Sequence, residues 1–123
     1  MSIRVLVADD ARFMRQLIRE IIEPEGFEVI GEAADGRAAV DEFTKLQPDI
    51  VTMDIVMPKR SGIDALKEIL SLDATAKVAM VSALGQESLV MEALQAGASD
   101  YIVKPFKPES VVATLRKIAE KLG

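Results

Sequence analysis

Three features of the 123-residue chain predict one α/β domain, residues 1–123, with a doubly wound five-stranded parallel sheet and five helices. Short apolar runs of strand length alternate with longer segments whose apolar residues recur at helical spacing. Strictly alternating βα units join parallel strands by right-handed crossovers, which places helices on both faces of an open sheet. Each of four apolar runs also ends in a polar residue, and ligands of such sheets bind outside the carboxyl ends of the strands.

The first run, Ile3 to Ala8, ends in the pair Asp9-Asp10. Asp10 is then expected to cap a helix with Phe13, Leu17, Ile18, Ile21 and Ile22 on its apolar side, stopped by Pro24 and Gly26. Residues 28–33 alternate loosely and read as a second strand, after which Asp35-Gly36 turns the chain into a helix through Ala39, Val40, Phe43 and Leu46. Between Pro48 and Pro58 lies Ile50-Val51-Thr52-Met53, a run with the character of a buried parallel strand, ending in Asp54. A helix follows over about 63–70. The fourth strand, residues 77–81, ends in Ser82, and a helix over 87–96 is stopped by Gly97. Tyr101-Ile102-Val103 ends in Lys104, and Pro108 opens the last helix, with Val111, Val112, Leu115, Ile118, Ala119 and Leu122 inward. The methionines are expected to fill the core.

Composition narrows the chemistry. A formal net charge of -5 argues against direct nucleic-acid binding, which needs clustered Lys and Arg. Without Cys or His the chain has no disulfide, no thiol nucleophile and no imidazole, so its chemistry rests on oxygen donors and lysine. Neither a signal peptide nor an apolar run of membrane-spanning length is present, and the expected location is cytoplasmic.

Taken singly, Asp10 reads as a helix cap, Ser82 as a turn hydroxyl and Lys104 as a solvated charge. Their conjunction at neighbouring strand ends reads differently. Like charges about 5 Å apart cost roughly 3 kcal/mol at an effective dielectric near 20. One ammonium does not balance Asp9, Asp10 and Asp54. The cluster needs raised carboxyl pKa values or a cation, and among cations oxygen ligands suit Mg²⁺. A carboxylate nucleophile beside a cation, an ammonium and a hydroxyl is a set for handling a phosphoryl group.

Over nearly its whole length the chain resembles the receiver domain of two-component response regulators. The motif comprises Asp9-Asp10, Asp54 followed by Met57-Pro58 and Gly62, Ser82-Ala83, and Lys104-Pro105-Phe106. The resemblance implies a flavodoxin-like sheet in the order 2-1-3-4-5 and a cis Lys104-Pro105 bond. It implies that Asp54 accepts a phosphoryl group from a histidine kinase. Mg²⁺ would be held by Asp9, Asp10, Asp54 and the backbone carbonyl of Val56; Lys104 would pair with the phosphoryl group, and Ser82 would swing toward it. Tyr101 matches the family's switch aromatic, turning inward as Ser82 moves. The implied output face is helix 4, strand 5 and helix 5, with Val90, Tyr101, Val103 and Lys107 as partner contacts.

Residues 9–15, 53–58 and 82–86 resemble those of chemotaxis receivers, and with the last helix ending at Gly123 they imply a stand-alone, monomeric regulator. Its target would be a protein such as the flagellar motor switch. One departure concerns the positions two past Asp54 and two past Ser82, which in the family flank the water that hydrolyses the acyl phosphate. Here they are Val56 and Leu84, so slow self-dephosphorylation and a separate phosphatase are expected. The alternatives are a receiver cut from a larger regulator, a non-chemotaxis phosphorelay protein, a binding module that merely kept the fold, and a phosphohydrolase with an aspartyl nucleophile. The last class places a second Asp where Val56 stands, which disfavours turnover of external substrates.

Overall fold

The computed structural model describes residues 2–122. Five strands, β1 (Ile3–Ala8), β2 (Phe27–Ala33), β3 (Ile50–Asp54), β4 (Val78–Ala83) and β5 (Asp100–Lys104), form one parallel sheet in the order β2-β1-β3-β4-β5. They alternate with α1 (Arg12–Ile22), α2 (Gly36–Leu46), α3 (Gly62–Leu72), α4 (Glu87–Ala96) and α5 (Pro108–Ala119). The strand order steps outward from β1 in both directions, so the reversal point lies between β1 and β3. Asp9 and Asp54 leave the sheet there.

Period-two alternation sorts the core into two layers. Leu6 and Ala8 of β1, with Val51 and Met53 of β3, pack under α2, α3 and α4. Val5, Val7, Ile50, Ala79 and Ile102 face α1 and α5. Continuing that parity past the strand ends puts Asp9, Asp54 and Lys104 on the α1/α5 side. Ser82 continues the opposite parity, after Val78 and Met80.

The helices begin and end largely for the expected local reasons. Asp35 caps α2, its carboxylate accepting from the Ala38 N–H at 2.8 Å, and the Ser61 hydroxyl accepts from the Asp64 N–H at the start of α3. A 3₁₀ turn over Glu23–Glu25, unforeseen from sequence, finishes α1 before Gly26 reverses the chain at φ 94°.

Four expectations need correction. Asp10 does not cap α1: the cap position is Ala11, without a side-chain bond, and it is Asp9 whose Oδ1 accepts the Ala11 N–H at 2.9 Å. The inward stripe of α1 is the buried Ile18 and Ile22 with the partly buried Met14 and Ile21; Phe13, one residue off that stripe, is 75% exposed. Val90 is not available as a partner contact, because it lies with Ala93 on the inward face of α4 and is only 8% exposed. Met53, Met57 and Met80 are core residues as expected, but Met91 is exposed.

Candidate phosphoacceptor site

The acidic cluster forms at the β1/β3 rim. One carboxylate oxygen from each of Asp9, Asp10 and Asp54 lies within 4.8 Å of the others. Asp9 and Asp54 are buried and Asp10 is exposed, which leaves the cluster open on one side. Lys104 reaches in from the end of β5, with Nζ 3.0 Å from Asp9 Oδ2 and 3.3 Å from Asp54 Oδ2. The sheet brings these four side chains together across 95 residues of sequence.

Burial, and then the neighbouring Asp9 charge, push the Asp54 carboxyl above its ordinary value, and Lys104 only partly offsets them. Burial alone would lower the Lys104 ammonium, but hydrogen bonding to Asp9 and the charges of Asp54 and Asp9 outweigh it, so its pKa is raised. The lysine therefore stays charged while the cluster remains short of positive charge. An all-oxygen donor set of three converging carboxylates, one of them destabilised in its ionised form, fits Mg²⁺.

The loop after β3 is pinned on two sides. Gly62 donates its N–H to the Ile55 carbonyl at 2.7 Å. Gly36, at the start of α2, lies against the Arg60 carbonyl so closely that a Cβ there would overlap it. Between these points the Val56 N–H donates to Asp54 Oδ1 at 3.4 Å. Val56 itself is 56% exposed, and Leu84 after β4 is 75% exposed. Both sit on loops that leave the C-terminal rim, and neither side chain has a polar atom with which to hold a water.

Ser82 is 1% exposed, and its Oγ has no hydrogen-bond partner among the described residues. A buried hydroxyl without a partner carries a desolvation cost that a new acceptor would relieve. Ser82 is thus placed one residue beyond the row containing Asp54 and Val81, but it is not part of the Asp9–Asp54–Lys104 hydrogen-bonded set. Tyr101 is 42% exposed on β5, Val103 is half-buried and Lys107 is exposed. The Lys104–Pro105 bond is cis.

Two contacts at the rim were not anticipated. The Gln86 side chain accepts from the Ala83 N–H at 2.7 Å, closing the β4–α4 corner. The Arg15 Nη1 donates to the Asp9 carbonyl at 2.7 Å while its Nε donates to Glu32 on β2. No local pattern announces either role. Arg15 takes meaning only when β2 is laid beside β1.

A doubly wound sheet whose reversal point presents an aspartate, an acid pair and a bridging lysine defines a receiver domain. The model of the response regulator receiver domain matches residues 5–116, and the chain belongs to that family. It is 53% identical over 120 residues to the chemotaxis protein CheY of Thermotoga maritima, covering 98% of this chain and 100% of that one. It is 50% identical to the chemotaxis protein CheY of Bacillus subtilis over 117 residues, 95% of this chain and 98% of that protein. Among solved structures, a chain of the CheX-CheY-BeF3-Mg complex from Borrelia burgdorferi superposes with a TM-score of 0.91 at 40% identity, covering 95% of this chain and 89% of that one. Among the described residues no helix is long and apolar enough to cross a membrane.

Proposed function

We propose that the chain is a chemotaxis response regulator switched by Mg²⁺-dependent phosphorylation of Asp54. The observation that carries this reading is the Lys104 ammonium bridging Asp9 and Asp54 inside a three-carboxylate cluster. An Asp54 carboxylate oxygen attacks phosphorus in a phosphohistidine of a histidine kinase; the P–O bond forms, the P–N bond breaks, and the imidazole leaves with its electron pair. Asp9, Asp10, Asp54 and the Val56 carbonyl would hold Mg²⁺, which would neutralise charge on the phosphoryl group.

The remaining work falls to protein groups. Lys104 transfers its ion pair from Asp54 to the incoming phosphoryl oxygens. The orphaned Ser82 hydroxyl gains an acceptor in the same group and moves toward it. Space vacated beside β4 admits the Tyr101 ring, changing the surface formed by α4, β5 and α5. The contacts offered to a target are then Tyr101, Val103 and Lys107, and a flagellar motor component is the partner we favour. With no second acid two residues after Asp54, the phosphoryl group is a signal rather than the product of a turnover cycle. The apolar Val56 and Leu84 make a separate phosphatase the route to rapid reset; the resemblance to a CheY solved together with CheX supports such a partner.

The test is labelling with acetyl phosphate, followed by intact-mass measurement with and without Mg²⁺. Wild type should gain one phosphoryl group only when Mg²⁺ is present, and Asp54→Asn should gain none. Equal labelling of Asp54→Asn would sink the assignment.

A further inference from the structure

Resting on the phosphoacceptor reading, a further role emerges for a residue that touches neither the phosphoryl group nor the cation. Asp9 is held at four points. Its N–H donates to the Ala33 carbonyl at 2.9 Å, Oδ1 accepts from Ala11, Oδ2 accepts from Lys104, and its carbonyl accepts from Arg15 at 2.7 Å. Asp10 has no comparable support: it is exposed, and its carboxylate makes no hydrogen bond among the described residues. The backbone alone sets the Cα–Cβ bond from which its carboxylate extends, and no other contact selects among its rotamers.

The Asp9 carbonyl belongs to the peptide that joins the two acids. Whatever grips that oxygen fixes the peptide plane, and with it the bearing of the Asp10 side chain. Arg15 is well placed to do so. Its side chain is 15% exposed, and its Nε is locked onto Glu32 Oε1 at 2.8 Å. Glu32 also accepts from Arg19 through its other oxygen, at 2.8 Å, while Oε1 by itself ties the Arg15 guanidinium to β2. Only a planar fork serves both acceptors at once.

We propose that Arg15 is a positioning residue for the cation site, orienting the Asp10 carboxylate by holding the plane of the Asp9–Asp10 peptide. Arg15 and Arg19 lie one helical turn apart and share Glu32, yet only Arg15 reaches the Asp9 carbonyl. That asymmetry makes Arg19 the control.

Full-length wild type, Arg15→Met, Arg15→Gln and Arg19→Met are titrated with MgCl₂ by calorimetry, and their amide spectra are recorded without metal. Methionine keeps the packed stem and removes the donors; glutamine is the second variant should the first not fold. Both Arg15 variants should weaken Mg²⁺ binding by about tenfold, as loss of a support behind metal ligands commonly does. Arg19→Met should stay within about twofold of wild type. In the metal-free spectra the Asp10 amide proton should move in the Arg15 variants and stay in place in Arg19→Met. Unchanged affinity in a folded Arg15 variant, or an equal loss in Arg19→Met, overturns the proposal. A wild type that binds no Mg²⁺ would count against the phosphoacceptor reading instead, and the Asp10 amide position would still decide the role of Arg15.

Discussion

Gly62 packs against the carbonyl of Asp54 with no room for a side chain between them: a Cβ at Gly62 would overlap the Asp54 carbonyl oxygen and press on the Ile55 Cα. Both neighbours are backbone atoms, so neither can rotate away as a flexible side chain would. The start of α3 and the end of β3 are therefore a single rigid corner, and it holds the Asp54 and Ile55 backbone against the first residue of α3.

Gly62→Ala must open that corner. Overpacking of this kind costs about 1–3 kcal/mol, and the expected result is a lower midpoint of urea unfolding with an unchanged slope. Phosphorylation by acetyl phosphate should slow as well, since the displaced atoms are those of the phosphoacceptor's own peptide. An alanine variant as stable as wild type would show that the loop has freedom the close approach denies.

Asp54→Asn should raise metal-free stability at neutral pH, despite removing an ion-pair partner of Lys104. Burial and the Asp9 charge keep the Asp54 carboxyl above its ordinary 3.8, so the folded state favours the protonated form more than the unfolded chain does. The sign follows from linkage. The folded protein binds more protons than the unfolded chain between 3.8 and the raised value, so Asp54's contribution is greatest below that window and declines as pH rises through it. Asparagine has no such decline. The melting temperatures of the two proteins should diverge as pH is raised from about 4 and then run parallel; about 1 kcal/mol corresponds to roughly 4 °C for a domain of this size. Curves that stay parallel across the window would show that Lys104 fully compensates the charge.

Mg²⁺ should stabilise wild type by binding only the folded cluster. At a hundredfold excess over its dissociation constant the gain is about 2.7 kcal/mol. Asp10→Asn should lose most of that gain while its metal-free melting temperature stays close to wild type, because the Asp10 carboxylate is exposed. Melting curves with and without MgCl₂ measure both quantities.

How far the sequence discloses this site follows from the range of the interactions involved. Strand ends and helix stops were legible because Asp35, Gly26, Gly97 and the prolines act within a few residues of where they stand. The meeting of Asp9, Asp54 and Lys104 was also legible, since a parallel sheet carries all its carboxyl ends to one rim. The inward face of a helix was harder to fix. Phe13 lies one residue off a stripe whose phase is set by Met14 and Ile18, and Val90, placed on the output face by the resemblance, packs inward with Ala93. Arg15 was invisible because its acceptors come from β1 and β2, and nothing in a helix at residue 15 reveals a carboxylate at residue 32.

Tyr101 is the sole tyrosine in a chain without tryptophan, so intrinsic fluorescence reports on that ring alone. At 42% exposure it is open to acrylamide. Adding beryllofluoride and Mg²⁺ should reduce quenching if the ring turns toward the space beside Ser82, and Ser82→Ala should blunt the effect. Quenching that does not change on adding the phosphoryl analogue would remove Tyr101 from the switch.

Reset of the signal depends on the water that attacks the acyl phosphate. At positions 56 and 84 the side chains are aliphatic and exposed, so they flank the rim without offering that water a hydrogen bond. Val56→Asn with Leu84→Glu would supply an amide and a carboxylate at the two places. An added hydrogen bond is worth about 1 kcal/mol, and about 1.4 kcal/mol off a barrier is tenfold in rate. The double variant should therefore lose phosphate roughly tenfold faster than wild type, with Mg²⁺ binding preserved because the ligand proposed at 56 is a backbone carbonyl. Following release of inorganic phosphate from both phosphorylated proteins tests this directly. Equal rates would mean that water reaches phosphorus by a path these side chains do not border, and the expected dependence on a separate phosphatase would lose its basis.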